Sequence, residues 1–229
     1  MQTNRFYLTI LMLLFSFAAV SPAWAKKDLP EVNDEGMVLV ENSDLATVYA
    51  DPGADLGIYD RIMLLDATVA FKKNWQRDQN RSNPLKVKDR DMVKIQEEVA
   101  ALFREVFTKE LVDGGYEMAD EPNADVLLVK PAIVDLDISA PDIPSSNRTR
   151  SYSESAGEMT LNLELYDSLT DDKIAKATDR KRDYDNGYQM RWRTSVSNRS
   201  DAKRMMTAWA KALRSTLDEA RASTSQPDT

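Results

Sequence analysis

Two stretches of this 229-residue chain concentrate the side chains that proteins use to grip one another. Trp75 stands among Lys72, Lys73 and Arg77, and Tyr188 stands with Arg191, Trp192 and Arg193. Tryptophan and arginine are enriched at partner contacts because each offers a large surface to desolvate and a donor at its edge. Both sets are expected in loops, so Trp75, Arg77, Tyr188, Arg191 and Trp192 are the candidate partner-binding residues. The plainer alternative is that each indole tucks against a sheet with an arginine stacked on it.

Carboxylates are the second group with chemistry open to them. Asp135 and Asp137 share a strand face and Asp142 follows, a pattern that could contribute to a calcium site. No glycine-bearing calcium loop surrounds them. Glu158 and Glu164 lie six residues apart on one strand, about 20 Å at strand rise, too far for the roughly 5 to 9.5 Å of a glycosidase pair. One of them set across strands from Asp135 or Asp137 would meet that spacing.

Composition removes most other chemistry. The chain has no histidine and no cysteine. Serine–histidine triads, thiol nucleophiles, thiolate or imidazole metal sites and disulfides are all excluded. A net charge of −8 would repel a phosphate backbone, so nucleic acid is not an expected partner. No metal and no cofactor is expected.

The N-terminus reads as an export signal: Arg5, an apolar run from Phe6 to Val20, then Ser21-Pro22-Ala23-Trp24-Ala25 with small residues at the positions a signal peptidase reads. The run is shorter than the roughly 20 residues that span a bilayer. The expectation is cleavage after Ala25 and a periplasmic mature protein without a membrane span. Without cysteine there is no lipobox, hence no lipid anchor.

These residues need elements to position them. Residues 26–55 are polar and weakly patterned, an extended lead-in. Tyr59–Phe71 alternates with apolar residues on both faces at its start, as a central strand does. Lys72–Asn83 is polar and expected as a loop. Asp89–Asp113 carries Met92, Ile95, Val99, Leu102 and Val106 at helical spacing and stops at Gly114-Gly115. Tyr116–Met118 and Ala124–Ile138 are expected strands, the second kinked at Pro131. In its second half, Val134, Leu136 and Ile138 are expected on one face and Ile133, Asp135 and Asp137 on the other.

Glu158–Tyr166 alternates cleanly, with Met159, Leu161, Leu163 and Leu165 inward. A hairpin at Asp167–Asp172 returns as Lys173–Asp183, whose cations can face the outward glutamates. Ala140–Ser155 and Asp185–Asn198 are expected loops. Ser200–Ala222 is a second amphipathic helix, and 223–229 a disordered tail. Together these give one α+β domain over 56–222: a mostly antiparallel sheet of four to five strands packed by two amphipathic helices, in two layers.

Four of these stretches carry a likeness to a known family. They are Tyr59-Asp60-Arg61-Ile62-Met63-Leu64; Gly115-Tyr116-Glu117-Met118 through Pro131-Ala132-Ile133-Val134-Asp135; Glu164 to Thr170 with Ala177-Thr178-Asp179-Arg180; and Asp201-Ala202-Lys203 with Trp209 to Arg214. In these the chain resembles the bacterial envelope family known as domain of unknown function 3313, mostly predicted lipoproteins. The family's usual Thr-Gly turn is Thr170-Asp171 here, which implies a looser hairpin. The resemblance implies an envelope location and a fold, and no reaction. The expected function is therefore a non-catalytic periplasmic binding or assembly-accessory protein of the Gram-negative envelope, with another envelope protein as partner. The alternative is a carboxylate-dependent hydrolase of cell-wall or other glycans. Oligomeric state is left open.

Overall fold

The structure, a computed structural model, describes residues 29–82, 86–138, 151–153, 157–182, 191–193 and 195–224. The export segment, Asp142 and Tyr188 lie outside the described residues. Among the described residues the first half of the chain forms β1 (Val38–Leu39), β2 (Thr47–Ala50), β3 (Arg61–Leu64), β4 (Thr68–Phe71), α1 (Trp75–Ser82) and α2 (Asp89–Asp113). The second half forms β5 (Glu117–Met118), β6 (Val126–Ile138), β7 (Ser151–Ser153), β8 (Gly157–Asp167), β9 (Lys173–Arg182), β10 (Arg191–Arg193) and α3 (Ser195–Thr224).

Eight strands make one sheet in the order β1-β2-β9-β8-β6-β3-β5, with β4 also paired to β6. The α+β class holds, but the sheet is mixed and larger than the four to five mostly antiparallel strands expected. β3 and β4 run parallel to β6, and β3 runs parallel to β5. The cause is α2. A 25-residue helix between two strands carries the chain back across the sheet, so the strand after it starts from the same end as the strand before it. The hairpins β6–β8 and β8–β9 supply the antiparallel half. The expected single strand at Tyr59–Phe71 divides into β3 and β4, both laid along β6. Of the lead-in, β2 pairs with β9 and β1 with β2, so this stretch extends the sheet.

α2 forms where the apolar spacing predicts. The Lys88 N–H donates to Asp91 Oδ2 at 2.9 Å, and Asp89 and Asp91 set negative charge at the helix start. Gly115 at φ 86° takes the left-handed position that ends the helix. α2 buries Leu102, Phe103, Val106, Phe107 and Leu111. α3 buries Met206, Trp209, Leu213 and Leu217. They share one core with Ile62, Leu127, Val129, Ile133, Leu161, Leu163 and Leu165 from the sheet. Each such side chain contributes about 1.5–3 kcal/mol by leaving water.

Three local expectations are corrected. Lys72–Asn83 is not a loop throughout, because Trp75–Ser82 is α1. The expected loops Ala140–Ser155 and Asp185–Asn198 each contribute a short strand, β7 and β10, which pair with each other; α3 begins at Ser195. The irregularity of β6 lies at Asp135 and not at Pro131, which pairs in register with Leu163. Asp135 has φ 51°, and the register with β8 shifts between Val134 and Asp137. One residue is left over, so Ile133 and Leu136 are both buried although they are three apart. The expected grouping of Leu136 with Val134, and of Ile133 with Asp135, therefore fails.

The hairpin at Asp167–Asp172 is tight. Asp171 holds φ 58°, which aspartate tolerates better than most residues. The Asp171 N–H donates to Asp167 O at 3.0 Å, and the Asp167 N–H to Asp172 O at 2.9 Å. Asp167 Oδ1 also accepts from the Leu169 and Thr170 N–H groups, each at 2.9 Å.

Candidate functional site

The chemistry gathers where β4, β6, β8 and β9 end together. Phe71 and Trp75 stack with centroids 4.3 Å apart, and the Trp75 indole N–H donates to Ile138 O at 3.3 Å. Gln79 Nε2 donates to the same carbonyl at 3.3 Å. The Lys72 N–H donates to Leu136 O at 3.1 Å, continuing the β4–β6 ladder past Phe71. Lys72 is thereby held beside Asp137.

Across the sheet, Asp137 faces Glu158 on β8. This close approach requires Gly157. It sits at φ 145°, and a Cβ there would stand 2.2 Å from Asp137 O. Lys72 Nζ donates to Asp137 Oδ2 at 2.9 Å and to Glu158 Oε1 at 3.3 Å. Glu158 Oε2 meets the Arg180 guanidinium at 2.6 Å. The Glu158 side chain is 9% exposed. Its hydrogen bond from Arg180, joined by that from Lys72, holds its carboxyl below the ordinary range against the opposing effect of burial. The Lys72 ammonium is raised, chiefly by its bond to Asp137.

Glu158 forms part of the wall of an open groove of ≈ 720 Å³. Arg180, Lys181 and Arg182 from the end of β9 and Arg204 from α3 also line it, with Met205 and Ala208. Behind the cations stand two more carboxylates. Asp179 pairs with Lys181 at 3.1 Å, and Asp201 pairs with Arg204 at 3.1 Å. Both aspartates are below 9% exposed, and each holds the charged end of a cation that lines the groove.

The described candidate partner-binding residues fall on two elements, α1 and β10. Trp75 is 3% exposed and belongs to the core. Arg77 on α1 is exposed and pairs with Asp78 at 3.1 Å. Arg191 and Trp192 stand on β10, opposite Ser153 and Tyr152 of β7. Of the candidate carboxylates, Asp137 and Glu158 come together across strands, within the upper bound of roughly 9.5 Å for a glycosidase pair, since one ammonium bonds both. Asp135 is exposed on the bulge. Glu164 pairs with Lys173 at 2.8 Å.

Sequence reasoning set the outward cations of Lys173–Asp183 against the outward glutamates without singling out Arg180, Lys181 or Arg182, and passed over Arg204. The signal was present: three consecutive cations end a strand in an acidic chain. What brings Arg204 to them is tertiary, the packing of α3 against β9.

Among the described residues, no helix is long and apolar enough to cross a membrane. None of them form a group of three or more carboxylates that could hold a metal. No curated protein is similar to the chain. Among solved structures, a dodecameric PelC from Paraburkholderia phytofirmans is 9% identical, with TM-score 0.37, over 73% of this chain and 96% of that one. A Xanthomonas campestris protein of the DUF330 family is 12% identical, with TM-score 0.36, over 77% and 94%. A minor lipoprotein from Acinetobacter baumannii is 10% identical, with TM-score 0.27, over 72% and 99%. These likenesses are too slight to transfer a fold or a function. The model of one family, described as a protein of unknown function (DUF3313), matches residues 35–213, and the chain belongs to that family.

Proposed function

We propose that this protein is a non-catalytic binding or assembly-accessory component of the Gram-negative cell envelope, acting in the periplasm after loss of residues 1–25. The observation that carries the reading is the state of Glu158. It is the carboxylate that the described residues place in the groove wall, and two cations hold it ionised. A glycoside hydrolase needs one carboxyl that keeps its proton near neutral pH, which burial among apolar groups supplies and cations remove. Salt-bridged carboxylates in a cation-lined groove suit holding a partner.

The test is co-purification of the tagged mature protein from periplasm with identification of bound proteins by mass spectrometry, repeated with Arg77→Ala and Trp192→Ala. A specific envelope partner, retained by the native chain and reduced in a variant, supports the reading. Hydrolysis of a cell-wall glycan that disappears in Glu158→Gln would overturn it. The juxtaposition of Asp137 and Glu158 is what keeps the hydrolase reading testable.

A further inference from the structure

We propose that the groove between the end of β9 and α3 binds a phosphate-bearing ligand through Arg180, Arg182 and Arg204; this rests on the binding-protein reading and names the ligand class. In a chain of net charge −8, the described residues that line this groove include four cations and one carboxylate. The Arg180 and Arg204 side chains are 62% and 61% exposed, and Arg182 is exposed as well. All three side chains therefore stand open to solvent.

The cations arrive from two elements, a strand end and a helix, which packing holds together: Met205 and Met206 of α3 share the core with Leu161 and Leu163 of β8. Guanidinium forks match phosphate oxygens, and cations preset on a rigid frame lose little freedom on binding. Glu158, Asp179 and Asp201 each already accept from a groove cation. An incoming anion must compete with these carboxylates, which favours the doubly charged phosphate over a singly charged carboxylate. The open groove of ≈ 720 Å³ leaves room for an organic part beside the phosphate, and Met205 and Ala208 offer it apolar contact.

Other places in the molecule argue less far. The groove beside β5, lined by Leu64, Val112 and Met118, has nothing over it that identifies an occupant. The exposed valines Val32, Val38 and Val40 near the β1 edge are in the same position.

The test uses the mature chain and two phosphate sources. Inorganic phosphate is titrated by NMR chemical-shift mapping, and vesicles of phosphatidylcholine with and without phosphatidic acid, a phosphomonoester, are used in co-sedimentation. Arg182→Gln and Arg204→Gln are the variants, with Lys211→Gln, exposed on α3, as the charge-matched control. Loss of one charge-assisted contact should weaken binding roughly tenfold, with the control unchanged. Shifts at the groove with free phosphate assign a soluble phosphate compound. Arginine-dependent sedimentation with phosphatidic acid assigns a lipid headgroup. Absence of both, or binding that the two variants leave untouched, overturns the proposal. Partner capture from periplasm by those same variants then shows whether the binding-protein reading survives it.

Discussion

The Trp209 indole N–H donates to Asp179 Oδ2 at 2.7 Å inside the core. Asp179 Oδ1 accepts from the Ala46 N–H at 3.0 Å, so one carboxylate ties α3, β9 and the start of β2. Asp179→Ala leaves both donors without this acceptor, and a buried orphan donor costs about 1–3 kcal/mol. The expected loss is about 2–4 kcal/mol in urea unfolding. Trp209→Phe should also destabilise, and the double variant should lose less than the sum of the two.

Gly157→Ala should cost roughly 3 kcal/mol, combining backbone strain at φ 145° with a contact 2.2 Å from Asp137 O. Gly36→Ala provides the comparison. It also has positive φ, 79°, but nothing lies within 4 Å of the added Cβ. Its cost should be about 1 kcal/mol. Equal effects in denaturant titration would mean that the β6–β8 approach is not what demands Gly157.

Trp75→Ala should behave as a core truncation, losing about 3–5 kcal/mol, because the ring is 3% exposed and stacks on Phe71. Arg77→Ala, two residues on, should change stability by no more than about 0.5 kcal/mol. Arg77→Ala is therefore the variant that interrogates partner contact without disturbing the fold.

Acid stability should carry a contribution from Glu158. Its folded carboxyl titrates below the ordinary glutamate value of 4.5, held there first by Arg180. A depressed folded value means that the stabilisation is whole above 4.5 and fades as pH falls through the lower folded value. Unfolding free energies measured from neutral pH downward should therefore drop less steeply below pH 4.5 in Glu158→Gln than in the native chain. An unchanged slope would place the acid sensitivity in other carboxylates, such as Asp167 or Asp125, which are also lowered.

Elements written in local spacing were legible. α2 could be read from apolar residues every three or four positions and two glycines after them. β8 could be read from strict alternation, since Met159, Leu161, Leu163 and Leu165 all face the core. What escaped depends on distant partners. A bulge at Asp135 has no local signature beyond an aspartate that accepts positive φ. Its phase change is visible only when Ile133 and Leu136 are seen to share a side. α1 was hidden because Trp75 is buried in a stretch otherwise too polar to suggest a helix. The parallel half of the sheet was implied by strand, helix, strand in succession, a sequence that fixes direction through connection length and leaves no mark in composition. For the site, the cross-strand meeting of Asp137 and Glu158 was anticipated as one option among several, and Arg204 was invisible until α3 was docked.

The pairing of β2 with β9 sets the order in which the molecule can be completed. Ala46 and Asp179 are 133 residues apart, and the neighbours of β6 toward that side, β8 and β9, come after it in the chain. A chain that emerges from its N-terminus, from a ribosome or through a pore, therefore carries β2 without its β9 partner until the last strand of the sheet has followed. The edge formed by β1 and β2 cannot join the rest of the sheet before β9 has arrived.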